Sequence, residues 1–362
     1  MKNIFPPPRR PPLPKPTLWQ KLTSFNNLWQ AFKNAARGKR SKPAVAQFEF
    51  NLEENLFNLQ AELCTGRYTP GAYHSFYIHD PKRRLISAAP FRDRVVHHAL
   101  CAVTAPLFER SFIDQSYANR IGKGTHRALD QAQAYLRRFA CVLPLDVRQF
   151  FPSIDHQILL ENISRVIWDE PVQELCRRII QGGQGLLADE YTQVYIPGDD
   201  LLAPLRPRGL PIGNLTSQFW ANLYLNPLDH FIKRTLHCPA YLRYVDDMLL
   251  FGNDKLQLAA WGRQVIAYLA SLRLTVHEAS AQVRPCWAGL PFLGFQLFQD
   301  HRRLKRPKVI HAWRRLHGLW AQYRAGRLTR AKIQASIVGW VNHARYGDTW
   351  GLRRAVLKDL VL

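Results

Sequence analysis

Asp246 and Asp247 stand side by side inside an otherwise apolar run, "YLRYVDDMLL", at residues 241–250. A charge placed in a core is costly unless it is paired or coordinates a metal. Aspartate is also a common turn residue, so the pair alone allows a purely conformational reading. Asp146 narrows the choice. It ends a second apolar run in "VLPLDVRQFFPSIDH", again where a free charge should not be. Two such strands side by side would gather three carboxylates, and like charges that close repel. A divalent cation resolves the repulsion. Oxygen ligands without a nearby His or Cys set favour Mg²⁺ over zinc, with Mn²⁺ as a substitute. Two such ions about 3.5–4 Å apart serve in-line phosphoryl transfer, one at a 3′-hydroxyl and one at a triphosphate leaving group. The acids therefore point to nucleotidyl transfer.

These acids need strands beneath them. "CVLPLDV" reads as a short buried strand, and "AYLRYVDDMLLFG" as strand, turn, strand. "LTVHE" and "PFLGFQLF" read as further strands, and "YHSFYIHDPKRRLISAAP" as a hairpin. Helical spacing marks residues 17–36, 48–65, 91–109, 124–139, 156–183 and 255–272, and most of 306–362. A loop followed by a long helix covers 209–236, with Thr216 or Ser217 near the helix start. Strands mix with helices without regular alternation, which predicts an α+β fold with helices packed on one face of a sheet.

Charge supplies the partner class. Fifty Lys and Arg against 27 Asp and Glu give +23, a balance that suits a polyanion such as nucleic acid. The excess is concentrated: residues 1–48 carry ten basic residues and no acid, and residues 301–362 fifteen against two. Six scattered Cys lack CxxC spacing, so they read as buried thiols in a reducing, cytoplasmic compartment rather than a zinc site. No apolar run approaches the length of a membrane span, and no secretory signal opens the chain. Residues 1–16 hold seven Pro and read as a disordered basic arm, either a partner ligand or a tail that touches RNA. The tandem His97-His98 reads as helix packing rather than a metal site.

In order and spacing, these motifs resemble the reverse transcriptase family across roughly residues 48–345. "LDVRQFFPSIDH", "RGLPIGNLTSQFWANLYLNPLDHF" and "YVDD" match its palm. "PKRRLISAAPFRDRVVHHAL" and "SYANRIGKGTHRAL" match its fingers, and "FLGF" at 292–295 its primer-grip strand. The resemblance implies a right-hand polymerase with an antiparallel palm sheet backed by helices. Fingers are expected over 17–142, palm over 143–155 and 205–297 with an insertion at 156–204, and a basic helical thumb over 298–362. It implies RNA-templated DNA synthesis. Asp146, Asp246 and Asp247 would be the catalytic metal ligands, joined by the Val147 carbonyl. Phe151 falls where the family keeps a bulky side chain, which would clash with a 2′-hydroxyl; ordinary core is the alternative. Arg84 and Arg120 match positions that hold the incoming triphosphate, where a guanidinium suits phosphate oxygens. Lys123 and Arg92 could do the same or be solvated charges. Pro211, Ile212, Gly213 and Gln218 would border the nucleotide. Arg302, Arg303, Lys305, Arg306, Lys308, Arg314 and Arg315 would bind the template–primer duplex through phosphates. Trp313, Trp320, Trp340 and Trp350 are expected to pack between thumb helices.

Two departures stand out. Retroviral relatives carry Gln where this chain has Ile212, and relatives often carry Lys near Ser280 or Ala281. "IGNLTSQ" at 212–218 is similar to the IGxxxSQ pattern of diversity-generating retroelement enzymes. That resemblance implies error-prone copying of a template-repeat RNA, a bacterial or phage source and a small basic accessory protein. No ribonuclease H-like, endonuclease or zinc segment is expected after the thumb. Group II intron-like, retron-like or defence-associated enzymes remain open, as does a non-catalytic maturase-like scaffold.

Overall fold

The computed structural model describes residues 16–79 and 83–360. The arm expected over 1–16 lies outside them but for its last residue. Along the chain run α1 (Leu18–Thr23), α2 (Phe25–Ala36), α3 (Pro43–Phe50), α4 (Leu52–Cys64), β1 (His74–Ile78), β2 (Arg84–Ala88) and α5 (Phe91–Ser111). Then come α6 (Thr125–Arg138), β3 (Cys141–Asp146), α7 (Phe150–Ser153), α8 (His156–Ser164), α9 (Glu170–Gly182) and α10 (Leu215–His230). The remainder is β4 (Ala240–Tyr244), β5 (Asp247–Gly252), α11 (Lys255–Ser271), β6 (Arg284–Pro285), β7 (Leu290–Phe292), β8 (Phe295–Leu297), β9 (Arg302–Leu304), α12 (Arg306–Arg324), α13 (Arg330–Ala344) and α14 (Trp350–Leu357).

Several elements differ from the sequence reading for local reasons. The helix expected over 17–36 breaks at Ser24, whose hydroxyl accepts from the Asn27 amide at 3.3 Å and starts a new helix. The helix expected over 156–183 is two, because Asp169 caps α9. The stretch at 48–65 is likewise divided, at Asn51. "LTVHE" forms no strand and meets its neighbour at a single bridge, Val147 to Val276.

The described residues form two compact units. The first takes the described parts of Met1–Ser111 with Ile154–Gln193 and Leu202–Leu223. Its centre is α2 against α5. Leu28, Ala31, Phe32, Ala35 and Ala36 recur at helical spacing and are all buried. Asp93 of α5 is buried too, and it accepts from the Tyr68 hydroxyl at 3.0 Å and the Gly71 amide at 2.7 Å. His97 is packed as expected, and burial pulls its pKa down to about 3.

The second unit takes Phe112–Ser153, Val194–Leu201 and the described part of Tyr224–Leu362. Its four-stranded antiparallel sheet has the order β4-β5-β3-β6. Pairing follows Val142 to Phe251 and Ala240 to Phe251, so these side chains share one face. They bury there with Ala128, Leu129, Ala132 and Leu136 of α6. Leu143 points the other way, against α11: a Cβ added at Gly262 would lie 2.7 Å from its Cδ2. Helices thus cover both faces of the sheet, a correction to the one-sided expectation. This double burial is why the strands read as continuous apolar runs. A second sheet, β7-β8-β9, turns through Leu293 and Gly294, both with positive φ (44° and 90°), the signature of a type I′ hairpin.

Cys101, Cys176, Cys238 and Cys286 are buried thiols, as expected, and burial pushes each pKa up; Cys64 is exposed. Trp320 and Trp340 pack into a thumb-helix cluster, but Trp313 and Trp350 are 46% and 68% exposed, against expectation. No helix among the described residues is long and apolar enough to cross a membrane.

Candidate active site

β3 and β5 end in register, so Asp146 lies directly opposite Asp247. Directly opposed residues bring their Cβ atoms to about 4.5–5.5 Å. Asp246 sits one residue away, in the two-residue turn between Tyr244 and Asp247. The turn is strained. Val245 has φ 58°, and a β-branched residue in the left-handed region costs roughly 1–3 kcal/mol. All three carboxylates are half-buried at the sheet end. Beside them, the Arg148 amide donates to the Thr275 carbonyl at 2.8 Å and the His277 amide to the Asp146 carbonyl at 3.0 Å. These bonds flank the Val147–Val276 pair, so the peptide groups of Val147 itself face away from Val276, toward the β5 side.

The donors here are carboxylate and carbonyl oxygens, a set suited to a hard divalent cation. Among the described residues, no three His, Cys, Asp or Glu side chains are gathered closely enough to hold a metal as they stand. Register is the firmer constraint. A carboxylate can change rotamer at little cost, whereas a register slip turns every strand side chain over.

After β3 the chain turns through Gln149 (φ 47°) into the single turn α7. Phe150 is buried there. Phe151, edge-on to it at 5.5 Å, is left half-exposed. In the same unit, Arg120 donates to the Ile113 and Ser116 carbonyls at 2.5 and 3.0 Å, bracing its own loop. Lys123 is paired with Asp114 at 3.2 Å.

The remaining predicted nucleotide residues belong to the first unit. Arg84 opens β2 and is exposed. The Ile212 carbonyl accepts from the Ser87 amide at 2.9 Å. Asn214, which the sequence reading passed over, is buried and clamps this loop. It accepts from the Ala89 amide at 3.1 Å and donates to the Ser87 carbonyl at 2.9 Å. Pro211 is buried, and Gln218 is exposed in the first turn of α10. Arg92 is paired with Glu62 and Asp93. Gly213 has φ 114°, and a Cβ there would lie 2.9 Å from Ile86 Cγ2. Gly213→Ala is therefore expected to lower unfolding free energy by about 1–3 kcal/mol in urea titration; unchanged stability would show that the loop tolerates a side chain.

Among the thumb cations, Arg302 is committed inward. It donates to Asp130 and Gln133, both at 2.7 Å, and its amide donates to Asp348. Lys305 is half-buried, while Arg303, Arg306, Lys308, Arg314 and Arg315 are exposed. A cavity of about 730 Å³ opens beside Gly294 and is lined by Lys308, His311, Arg315, Trp340 and His343. Also missed in the sequence is a dry ion pair under the turn. Arg243 and Asp229 are both fully buried and in contact at 2.6 Å. Burial opposes the Arg243 charge, yet the Asp229 carboxylate outweighs it and the guanidinium pKa is raised.

Residues 79–297 match the family model described as "Reverse transcriptase (RNA-dependent DNA polymerase)". Protein YkfC of Escherichia coli is 24% identical over 70% of this chain and 73% of its own length. Group II intron-encoded protein LtrA of Lactococcus lactis is 25% identical over 50% of this chain, and the match spans 28% of LtrA. A telomerase structure from Candida tropicalis superposes with a TM-score of 0.48 at 11% identity, covering 69% of this chain and 60% of that one.

Proposed function

Because this chain belongs to the reverse transcriptase family, whose model covers more than half of it, we propose that it copies an RNA template into DNA. One observation carries the reading: Asp146 opposes Asp247, with Asp246 in the adjoining turn, at the end of a sheet buried on both faces. The three carboxylates and the Val147 carbonyl would hold two Mg²⁺ ions. When bound, such ions activate a primer 3′-hydroxyl and balance the triphosphate charge.

The chain's own residues do the rest. Phe151, five residues after Asp146 and part-exposed, excludes a 2′-hydroxyl. Arg84, Arg120 and Lys123 grip the triphosphate, the last two after exchanging present partners for phosphate. Pro211, Ile212 and Gly213 border the nucleotide through a loop held by Asn214, with Gln218 in the adjoining helix turn. Arg303, Lys305, Arg306, Lys308, Arg314 and Arg315 meet the duplex phosphates; Arg302 shapes the β9 end of that surface.

Within the family, the "IGNLTSQ" segment supports the reading of a diversity-generating retroelement enzyme that copies a template-repeat RNA with a small basic accessory protein. Ile212 offers the nucleotide no hydrogen bond there, in keeping with loose copying. Similarity to a nuclear intron maturase of Arabidopsis thaliana supports a second reading, a maturase-like RNA-binding scaffold.

Primer extension with RNA template, DNA primer, dNTPs and Mg²⁺ decides between them. Extension is expected; tight RNA binding without extension would favour the scaffold. Phe151→Ala is expected to raise ribonucleotide use relative to dNTPs by about tenfold or more, as a lost clash worth ~1.4 kcal/mol or more would do. Unchanged sugar discrimination would remove the gate from Phe151.

A further inference from the structure

A fully buried stretch of β4 holds a guanidinium that packing does not require. Arg243 Nε donates to Asp229 Oδ1 at 2.8 Å, and Nη2 donates to Oδ2 at 2.6 Å. The Tyr241 hydroxyl donates to the same Oδ1 at 2.7 Å. The third arm does something else: Nη1 donates to the Val245 carbonyl at 2.9 Å. That carbonyl belongs to the peptide joining Val245 to Asp246, so the bond restrains the ψ of Val245 and the φ of Asp246 together. Val245 is the left-handed, β-branched residue of the turn, a conformation that persists only when its surroundings over-determine it. Arg243 is itself anchored, since its amide donates to the Gln115 carbonyl at 2.8 Å and its carbonyl accepts from Tyr117 at 2.9 Å. An apolar pair of equal volume would fill the same core as well. Lysine could pair with Asp229 but has no planar fork to reach the turn as well.

We propose that Arg243, held by Asp229, is a positioning residue that fixes the Val245–Asp246 peptide and so aims the Asp246 and Asp247 carboxylates. This rests on the reading of those two acids as the chemical centre.

The test is Arg243→Lys in the full chain, with two independent readouts. The first is amide hydrogen exchange at Asp246 and Asp247, which needs no activity. It is expected to quicken about tenfold or more, with the rest of β4 and β5 unchanged. The second is single-nucleotide addition on an RNA template with a DNA primer. The rate is expected to fall about tenfold or more, with KM for dNTP and affinity for RNA within about twofold. Adding Val245→Gly, which takes a positive φ without strain, should recover at least about threefold of that loss. A packing role alone gives no such rescue. Wild-type exchange at the turn, or a rate loss that Val245→Gly leaves untouched, overturns the proposal. If Arg243→Lys does not fold, Tyr241→Phe keeps both charges and carries the test. It is expected to quicken turn exchange about threefold, and unchanged exchange overturns the proposal. A wild-type chain that fails to extend primers would defeat the polymerase reading alone, since exchange still decides whether Arg243 fixes the turn.

Discussion

Asp246→Asn is expected to cut primer extension by about a thousandfold or more, or ~4 kcal/mol at the barrier. Asparagine keeps the shape of the side chain and loses its charge, so the turn should persist. What goes is a negative oxygen at the sheet end where Asp146 opposes Asp247 and Asp246 lies in the adjoining turn. RNA affinity should stay within about twofold, because phosphate contacts from a basic surface dominate such binding. The variant should melt no lower than wild type, since removing one of three neighbouring carboxylates relieves repulsion. Filter binding, thermal melting and single-turnover extension check these points separately. Extension at the wild-type rate would end the assignment of Asp246 to the reaction.

Asp229→Ala is expected to be the most destabilising single change, at about 3–5 kcal/mol in urea unfolding. Both members of the ion pair are fully buried, and Arg243 cannot shed its proton to escape. Removing Asp229 strands that cation and also takes the acceptor from the Tyr241 hydroxyl. The loss is a large share of the ~5–15 kcal/mol that holds a typical domain together. Replacing both partners with apolar residues, Asp229→Leu with Arg243→Met, should recover most of it. If Asp229→Ala costs less than about 1 kcal/mol, the interior there is wetter than the structure shows.

The acids were legible because they broke an apolar pattern, and the strands they end lie where that pattern put them. Arg243 broke the same pattern three residues earlier, and its signal was there to read: a cation in "YLRYV" needs an anion, and Asp229 ends the apolar helix upstream. Covering on both faces was also legible, since the strands that end in the acids read as continuous apolar runs rather than alternating ones, and the one-sided expectation passed over that signal. "LTVHE" alternates like a strand, yet it finds a partner at one bridge only, and pairing depends on what lies alongside. The exposure of Trp313 and Trp350 is similar: helical spacing gives a face, and not what covers it. Asn214 was hidden because a loop clamp carries no periodicity.

The ion pair beneath the turn also constrains how this sequence can drift. From the present arrangement, removing either charge alone is expected to cost a large share of the stability, while replacing both partners with apolar residues should recover most of it. Mutation one base at a time therefore meets a valley between two acceptable states. Lineages that keep the turn aimed stay on one side of it, and a descendant that has crossed should have lost both partners together.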